Sequence, residues 1–154
     1  MPLTKLDHYL IQTDDLAKTS DWYANALGME KGFTPDFKFP VVWMYIGETP
    51  VVHITLGGEG VSENRMTYLG QQSTETKGSG AVDHIAFHAT GLKETMTRLR
   101  ELGQEFSERQ VDDAGLYQLF VFDPNGVKIE LNFPATEAVG LKAEVMATEL
   151  EPSL

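Results

Sequence analysis

Leu6-Asp7-His8 near the start of the chain returns as Val82-Asp83-His84, so the sequence overlays on itself at an offset of 76 residues. Leu16 then falls on Leu92 and Thr19 on Thr95, while Leu27-Gly28 meets Leu102-Gly103 at an offset of 75. Further along, an offset of 77 brings Trp43 onto Phe120, Tyr45 onto Phe122 and His53 onto Glu130. Small insertions of this kind are ordinary between two diverged modules.

Each half reads as one strand, one helix and three strands. Leu6 to Gln12 alternates, after which Asp14 or Asp15 can cap a helix carrying Leu16, Trp22, Tyr23, Ala26 and Leu27 up to a stop at Gly28. His84 to Ala89 is the matching strand; Leu92, Met96, Leu99 and Leu102 lie at helical spacing, and Gly103 stops that helix. Strands follow near Met29 to Phe33, Val41 to Ile46 and Val51 to Leu56, then near Glu105 to Val111, Leu116 to Phe122 and Val127 to Phe133. Gly47-Glu48-Thr49-Pro50 and Asp123-Pro124-Asn125-Gly126 are the turns. The expected organisation is a single domain over residues 1–154: module 1 at about 5–57, a lid-like linker at 58–80, module 2 at about 81–134 and an acidic tail at 135–154. Between the modules, Gly57 to Gly80 holds six of the 14 glycines without clear periodicity, and Gly57, Gly58, Gly60, Gly78 and Gly80 read as hinges. Arg65 in that linker reads first as an exposed, solvated side chain, and alternatively as a holder of a substrate carboxylate. In the tail, Val139, Val145 and Met146 are expected to dock as a short helix.

Composition removes several classes of function. The chain carries 12 basic and 23 acidic side chains, a net charge of −11, and a strongly acidic surface repels nucleic acid. With no cysteine, thiolate zinc sites, Fe–S clusters and a cysteine nucleophile are excluded, leaving His, Asp and Glu as the strong metal ligands. The longest apolar run, Val41 to Ile46, falls far short of the ~20 residues that span a bilayer, and Lys5, Asp7 and His8 interrupt any signal-like stretch, so no membrane partner and a cytoplasmic location are expected.

Strand alternation places His8 with Leu6, Leu10 and Gln12, His84 with Val82, Ala86 and His88, His53 with Val51 and Thr55, and Glu130 with Lys128 and Asn132. Four ligand-type residues thus occupy equivalent strands of two modules. If the modules pack with pseudo-two-fold symmetry and the helices cover the outer faces, these side chains converge on the inner face, where three imidazoles and a carboxylate suit a divalent metal. Glu130 lies between Ile129 and Leu131 in a central strand, where a buried carboxylate needs a cation or donors. His88 stands four residues from His84, roughly 13 Å at ~3.3 Å per residue, too far to share the ion.

With these motifs the chain resembles the glyoxalase, bleomycin-resistance and extradiol dioxygenase superfamily, the vicinal oxygen chelate proteins. The resemblance runs from Leu6 to Phe133 through Leu-Asp-His8, Trp22-Tyr23-x4-Leu27-Gly28-Met29, Val-Val-His53-Ile, Val-Asp-His84-Ile-Ala and Asp123-Pro-Asn-Gly-Val-Lys-Ile-Glu130. It implies an α+β fold of two βαβββ modules forming a cupped mixed sheet around a metal held by His8, His84 and Glu130. Members with glyoxalase or epimerase activity carry a fourth ligand where this chain has His53. The run Gly115-Leu-Tyr-Gln-Leu-Phe120-x2-Asp-Pro-x-Gly is similar to the ring-cleavage dioxygenase signature, but Phe120 stands where those enzymes have a catalytic tyrosine, and Gln110 to Ala114 lacks their upstream histidine.

Such an ion captures a substrate with two adjacent oxygens and stabilises their charge. If His53 stands back as general acid–base, an Fe(II) extradiol dioxygenase-like enzyme follows; if it ligates, a glyoxalase-like lyase or isomerase does. Trp43, Tyr45, Phe120 and Phe122 on the cavity face suit a planar ring and favour the first reading. Fe2+ is the favoured ion, with Ni2+, Co2+, Zn2+ or Mn2+ as alternatives. A non-catalytic protein that sequesters a cationic small molecule is a third possibility, permitted by the −11 charge. The modules also suggest a homodimer.

Overall fold

Val52 and Ile54 are inaccessible to solvent on one face of the strand Thr49–Leu56 (β4), while His53 and Thr55 point to the other, and this alternation organises the first half of the chain. The computed structural model describes residues 2–58, 61–70, 75–143 and 145–146. The chain divides into two compact units, Met1–Gly78 and Ser79–Leu154.

In the first unit, β1 (Tyr9–Thr13), helix α1 (Leu16–Leu27), β2 (Glu30–Lys31), β3 (Val41–Ile46) and β4 make a four-stranded mixed sheet ordered β1-β4-β3-β2. β4 runs parallel to β1 and antiparallel to β3. Asp15 caps α1 by accepting a hydrogen bond from the Lys18 amide at 3.0 Å, and Gly28 ends the helix with φ 72°. Tyr23 and Ala26 of α1 and Met44, Val52 and Ile54 of the sheet are all fully buried. Burying a side chain the size of Met44, Val52 or Ile54 stabilises the fold by about 1.5–3 kcal/mol, so this is where much of the unit's stability sits. Gly47, with φ 58°, opens the two-residue turn between β3 and β4.

The second unit repeats this order: β5 (His84–His88), helix α3 (Leu92–Glu101), β6 (Ser107–Val111), β7 (Leu116–Phe122) and β8 (Lys128–Pro134). Its sheet is ordered β5-β8-β7-β6-β9, the fifth strand being Val145–Met146 (β9), parallel to β6. Leu92, Met96 and Leu99 are buried along one face of α3, and Leu119, Val121, Ile129 and Phe133 are buried in the sheet. Gly91 offers α3 no side-chain cap; Glu137 supplies one, its Oε1 accepting from the Gly91 and Leu92 amides at 2.8 and 3.1 Å. Asp123 closes the β7–β8 turn by accepting from the Asn125 and Val127 amides at 2.8 and 2.9 Å. The α+β class and the βαβββ order of each half are as the sequence implies.

The structure corrects several expectations. β1 starts at Tyr9 rather than Leu6, because the pairing with β4 begins there, so His8 precedes the strand and Leu6 is 79% exposed. The strand expected at Met29 to Phe33 is confined to Glu30–Lys31, because the Tyr45 ring lies against Gly32 and the chain leaves the sheet at Phe33. The linker contains a helix, α2 (Glu63–Leu69), started by Ser62, which accepts from the Arg65 amide, and ended by Gly70 with φ 73°. Gly60 of the proposed hinges lies outside the described residues. In the tail, Val145–Met146 form a strand rather than a helix, satisfying the otherwise open edge of β6. No helix among the described residues is long and apolar enough to cross a membrane.

Candidate metal centre

Strand pairing brings the repeat mates onto equivalent rungs. In the first unit Leu10, His53 and Trp43 stand side by side across β1, β4 and β3; in the second, Ala86, Glu130 and Phe120 do so across β5, β8 and β7. Trp43 is to His53 what Phe120 is to Glu130.

In the second unit, Glu130 is only 7% exposed, yet both carboxylate oxygens are engaged. Oε1 accepts from Gln118 Nε2 at 2.7 Å, and Oε2 lies 2.9 Å from His84 Nε2. His84 Nδ1 is 2.8 Å from Asp83 Oδ2. With Nδ1 donating to Asp83, the Nε2 lone pair faces the carboxylate, and two lone pairs this close require a proton or a cation between them. If a divalent ion took the place of that proton, His84 Nε2 and Glu130 Oε2 would be the two atoms that hold it. Lys128 and His84, in that order, hold the Asp83 carboxyl below the usual aspartate range, keeping it an acceptor for the imidazole.

The first unit carries a related pair. His8 Nδ1 lies 2.6 Å from Asp7 Oδ2, repeating the Asp83–His84 arrangement, and the hydrogen bond from His8 is the main cause that lowers the Asp7 pKa. The His53 ring is stacked between His8 and Trp43, with centroids at 3.7 and 4.1 Å. Its Nε2 lies 3.1 Å from the Pro50 carbonyl, to which it donates. Burial, and then the nearby His8, push the His53 pKa below its usual value, so the ring is a neutral base near neutral pH. Within each unit the ligand-type side chains come in pairs; among the described residues no group of three or more His, Asp or Glu is arranged to hold an ion.

The aromatic residues are placed differently from one another. Trp43 lies flat on His53, and Phe120 packs under the Arg109 guanidinium at 4.6 Å, its ring perpendicular to that of His84 with centroids 6.2 Å apart. The Tyr45 hydroxyl donates to the Phe33 carbonyl at 2.5 Å beyond a register shift in β3, and Phe122 is mostly exposed at the end of β7. The expectation of a solvated Arg65 is overturned: it is 2% exposed, because α2 turns it inward, where its Nη2 donates to Gln12. Sequence reasoning missed Gln118, Asp7 and Asp83 as partners, although the recurring Asp-His dipeptide carried the last two.

The sequence profile of the Glyoxalase/Bleomycin resistance protein/Dioxygenase superfamily matches residues 5–131. The chain belongs to this superfamily. Solved structures similar to this superfamily member include the fosfomycin resistance protein FosX from Listeria monocytogenes, at 19% identity and TM-score 0.62, over 88% of this chain and 97% of that one. Lactoylglutathione lyase from Agrobacterium tumefaciens matches at 18% identity and TM-score 0.59, over 86% and 96% of the two chains. A virulence protein from Salmonella typhimurium matches at 16% and 0.60, over 87% and 99%. At these identities the likeness shows the glyoxalase-superfamily fold alone. No curated protein matches the sequence.

Proposed function

We propose that this superfamily member is a divalent-metal-dependent enzyme acting on a small substrate with two adjacent oxygens, with His8, His84 and Glu130 as the ligands and Fe(II) as the favoured ion. The observation that carries this reading is the approach of His84 Nε2 to Glu130 Oε2 at 2.9 Å, with Asp83 on the far nitrogen of the imidazole and Gln118 on the far oxygen of the carboxylate. Such an ion, when bound, supplies Lewis-acid stabilisation of charge on the substrate oxygens. The proposed reaction is extradiol-type cleavage of a ring diol. His53 supports it: its Nε2 is committed to the Pro50 carbonyl, and its neutral ring is suited to take the proton of a substrate hydroxyl. Phe120 has no hydroxyl to share that duty, whereas Trp43 and Phe120 set apolar rings on the rungs beside His53 and Glu130. The proposed assembly is a homodimer, in which the three ligands at one ion come from one chain or from both.

A second reading rests on the register equivalence of His53 and Glu130. If His53 ligates like its repeat mate, four protein donors favour a lyase or isomerase, the class to which lactoylglutathione lyase belongs by name. Oxygen uptake by the Fe(II)-loaded protein across a panel of ring diols separates the two. The first reading predicts uptake, with His53→Ala keeping its iron and losing rate. Silence across the panel, with anaerobic turnover of a hemithioacetal and metal loss in His53→Ala, selects the second.

A further inference from the structure

The first unit contains a cleft of about 500 Å³ that the ligand pairs do not explain. Phe39, Pro40, Leu56 and Val61 give it apolar walls, and Arg65 stands in its lining. The guanidinium is buried, and although Nη2 donates to Gln12, Nε and Nη1 have no hydrogen-bond partner among the described residues. A buried cation with unmet donors is costly, and an arginine stays protonated in a protein, so an anionic acceptor would offset that cost. Asp14 also lines the cleft, but Lys77 lies 3.7 Å from it and offsets its charge. Burial lowers the Arg65 pKa.

The position of the cleft relates it to His53. Gln12 pairs with Thr55, which lines the cleft, and Thr55 lies two residues from His53 on the same face of β4. That is one step of about 7 Å along the strand. We propose that Arg65 binds the carboxylate of a small organic acid with an apolar, one-ring body, which thereby extends toward His53. A carboxylate matches the planar fork of the guanidinium, and the walls match the ring. Gln12 is a positioning residue: its Oε1 holds Nη2, and its own amide is anchored to the Glu75 carbonyl at 3.1 Å. This inference rests on the reading of a chelated ring substrate and names its substituent.

Calorimetry on the full-length chain in the presence of a chelator tests it without involving the metal. Benzoate is expected to bind about tenfold or more tightly than benzamide, the ratio set by a charge-assisted hydrogen-bond pair. Arg65→Met should erase that preference, and Arg65→Lys should keep part of it. In the unmutated protein, the Arg65 Nε–H resonance should shift with benzoate and not with benzamide, a readout that does not depend on a variant folding. Equal affinities, absence of benzoate binding, or a preference that survives in Arg65→Met would overturn the proposal. Tighter binding of phenylphosphonate than of benzoate would overturn the carboxylate in favour of a tetrahedral oxyanion. A benzoate preference without oxygen uptake on any diol keeps the Arg65 site and removes the reaction. Uptake with equal efficiency on catechol and 3,4-dihydroxybenzoate keeps the reaction and removes the carboxylate.

Discussion

His84 Nε2 and Glu130 Oε2 face each other at 2.9 Å, while Asp83 holds the far nitrogen of one and Gln118 the far oxygen of the other. The outer partners fix the tautomer and the carboxylate rotamer before any ion arrives. Removing one should therefore loosen a metal without touching a ligand. Asp83→Asn is expected to weaken metal affinity by about 10–100-fold, measured by competition with a coloured chelator. Unchanged affinity would show that Asp83 merely pairs with Lys128, 2.7 Å away.

His53 should titrate below the ordinary histidine value of 6.5 in the metal-free protein, since burial and His8 both disfavour its charged form. The sign for stability follows. The unfolded chain takes up a proton at this residue before the folded one does, so the contribution of neutral His53 is present above about pH 6.5 and is lost as the pH falls toward the folded value. Two-dimensional NMR reads the titration directly. A His53 midpoint at or above the ordinary value would mean that the stacking between His8 and Trp43 does not persist in solution.

Gly57→Ala should destabilise the first unit by about 1–3 kcal/mol, as overpacking does where backbone must move. An added Cβ there would stand 2.9 Å from Gln12 Cβ, 3.1 Å from Thr76 Cγ2 and 3.3 Å from the Glu75 carbonyl. Chemical denaturation should show a lower midpoint at unchanged slope; a wild-type midpoint would mean the 75–76 segment yields freely.

The proposed homodimer is open to light scattering at micromolar concentration, where the mass of two chains is expected. A mass of one chain throughout would remove it and require each ligand set to come from a single molecule.

What was legible in the sequence was whatever local periodicity or a local cap controls. Asp15 and Gly28 bound α1, Asp123 to Gly126 make the β7–β8 turn, and the offset that lays Trp43 on Phe120 and His53 on Glu130 is reproduced in the strand registers. What was not legible depends on distant partners. The cap of α3 comes from Glu137, 46 residues beyond Gly91, and the burial of Arg65 depends on Gln12, 53 residues before it. Helix α2 opens with Glu63-Asn64-Arg65, which shows no apolar stripe, so Ser62 and Gly70 were its only local marks. The exposed Leu6 shows the opposite failure: the alternating pattern reaches back beyond Tyr9, where the pairing with β4 begins.

The most direct test of the central claim is elemental analysis of the purified protein beside His8→Ala, His84→Ala and Glu130→Ala, each checked for folding by circular dichroism. The account predicts about one divalent first-row ion per chain in the unmutated protein and its loss in every folded variant. Normal metal content in both folded His84→Ala and folded Glu130→Ala would contradict it.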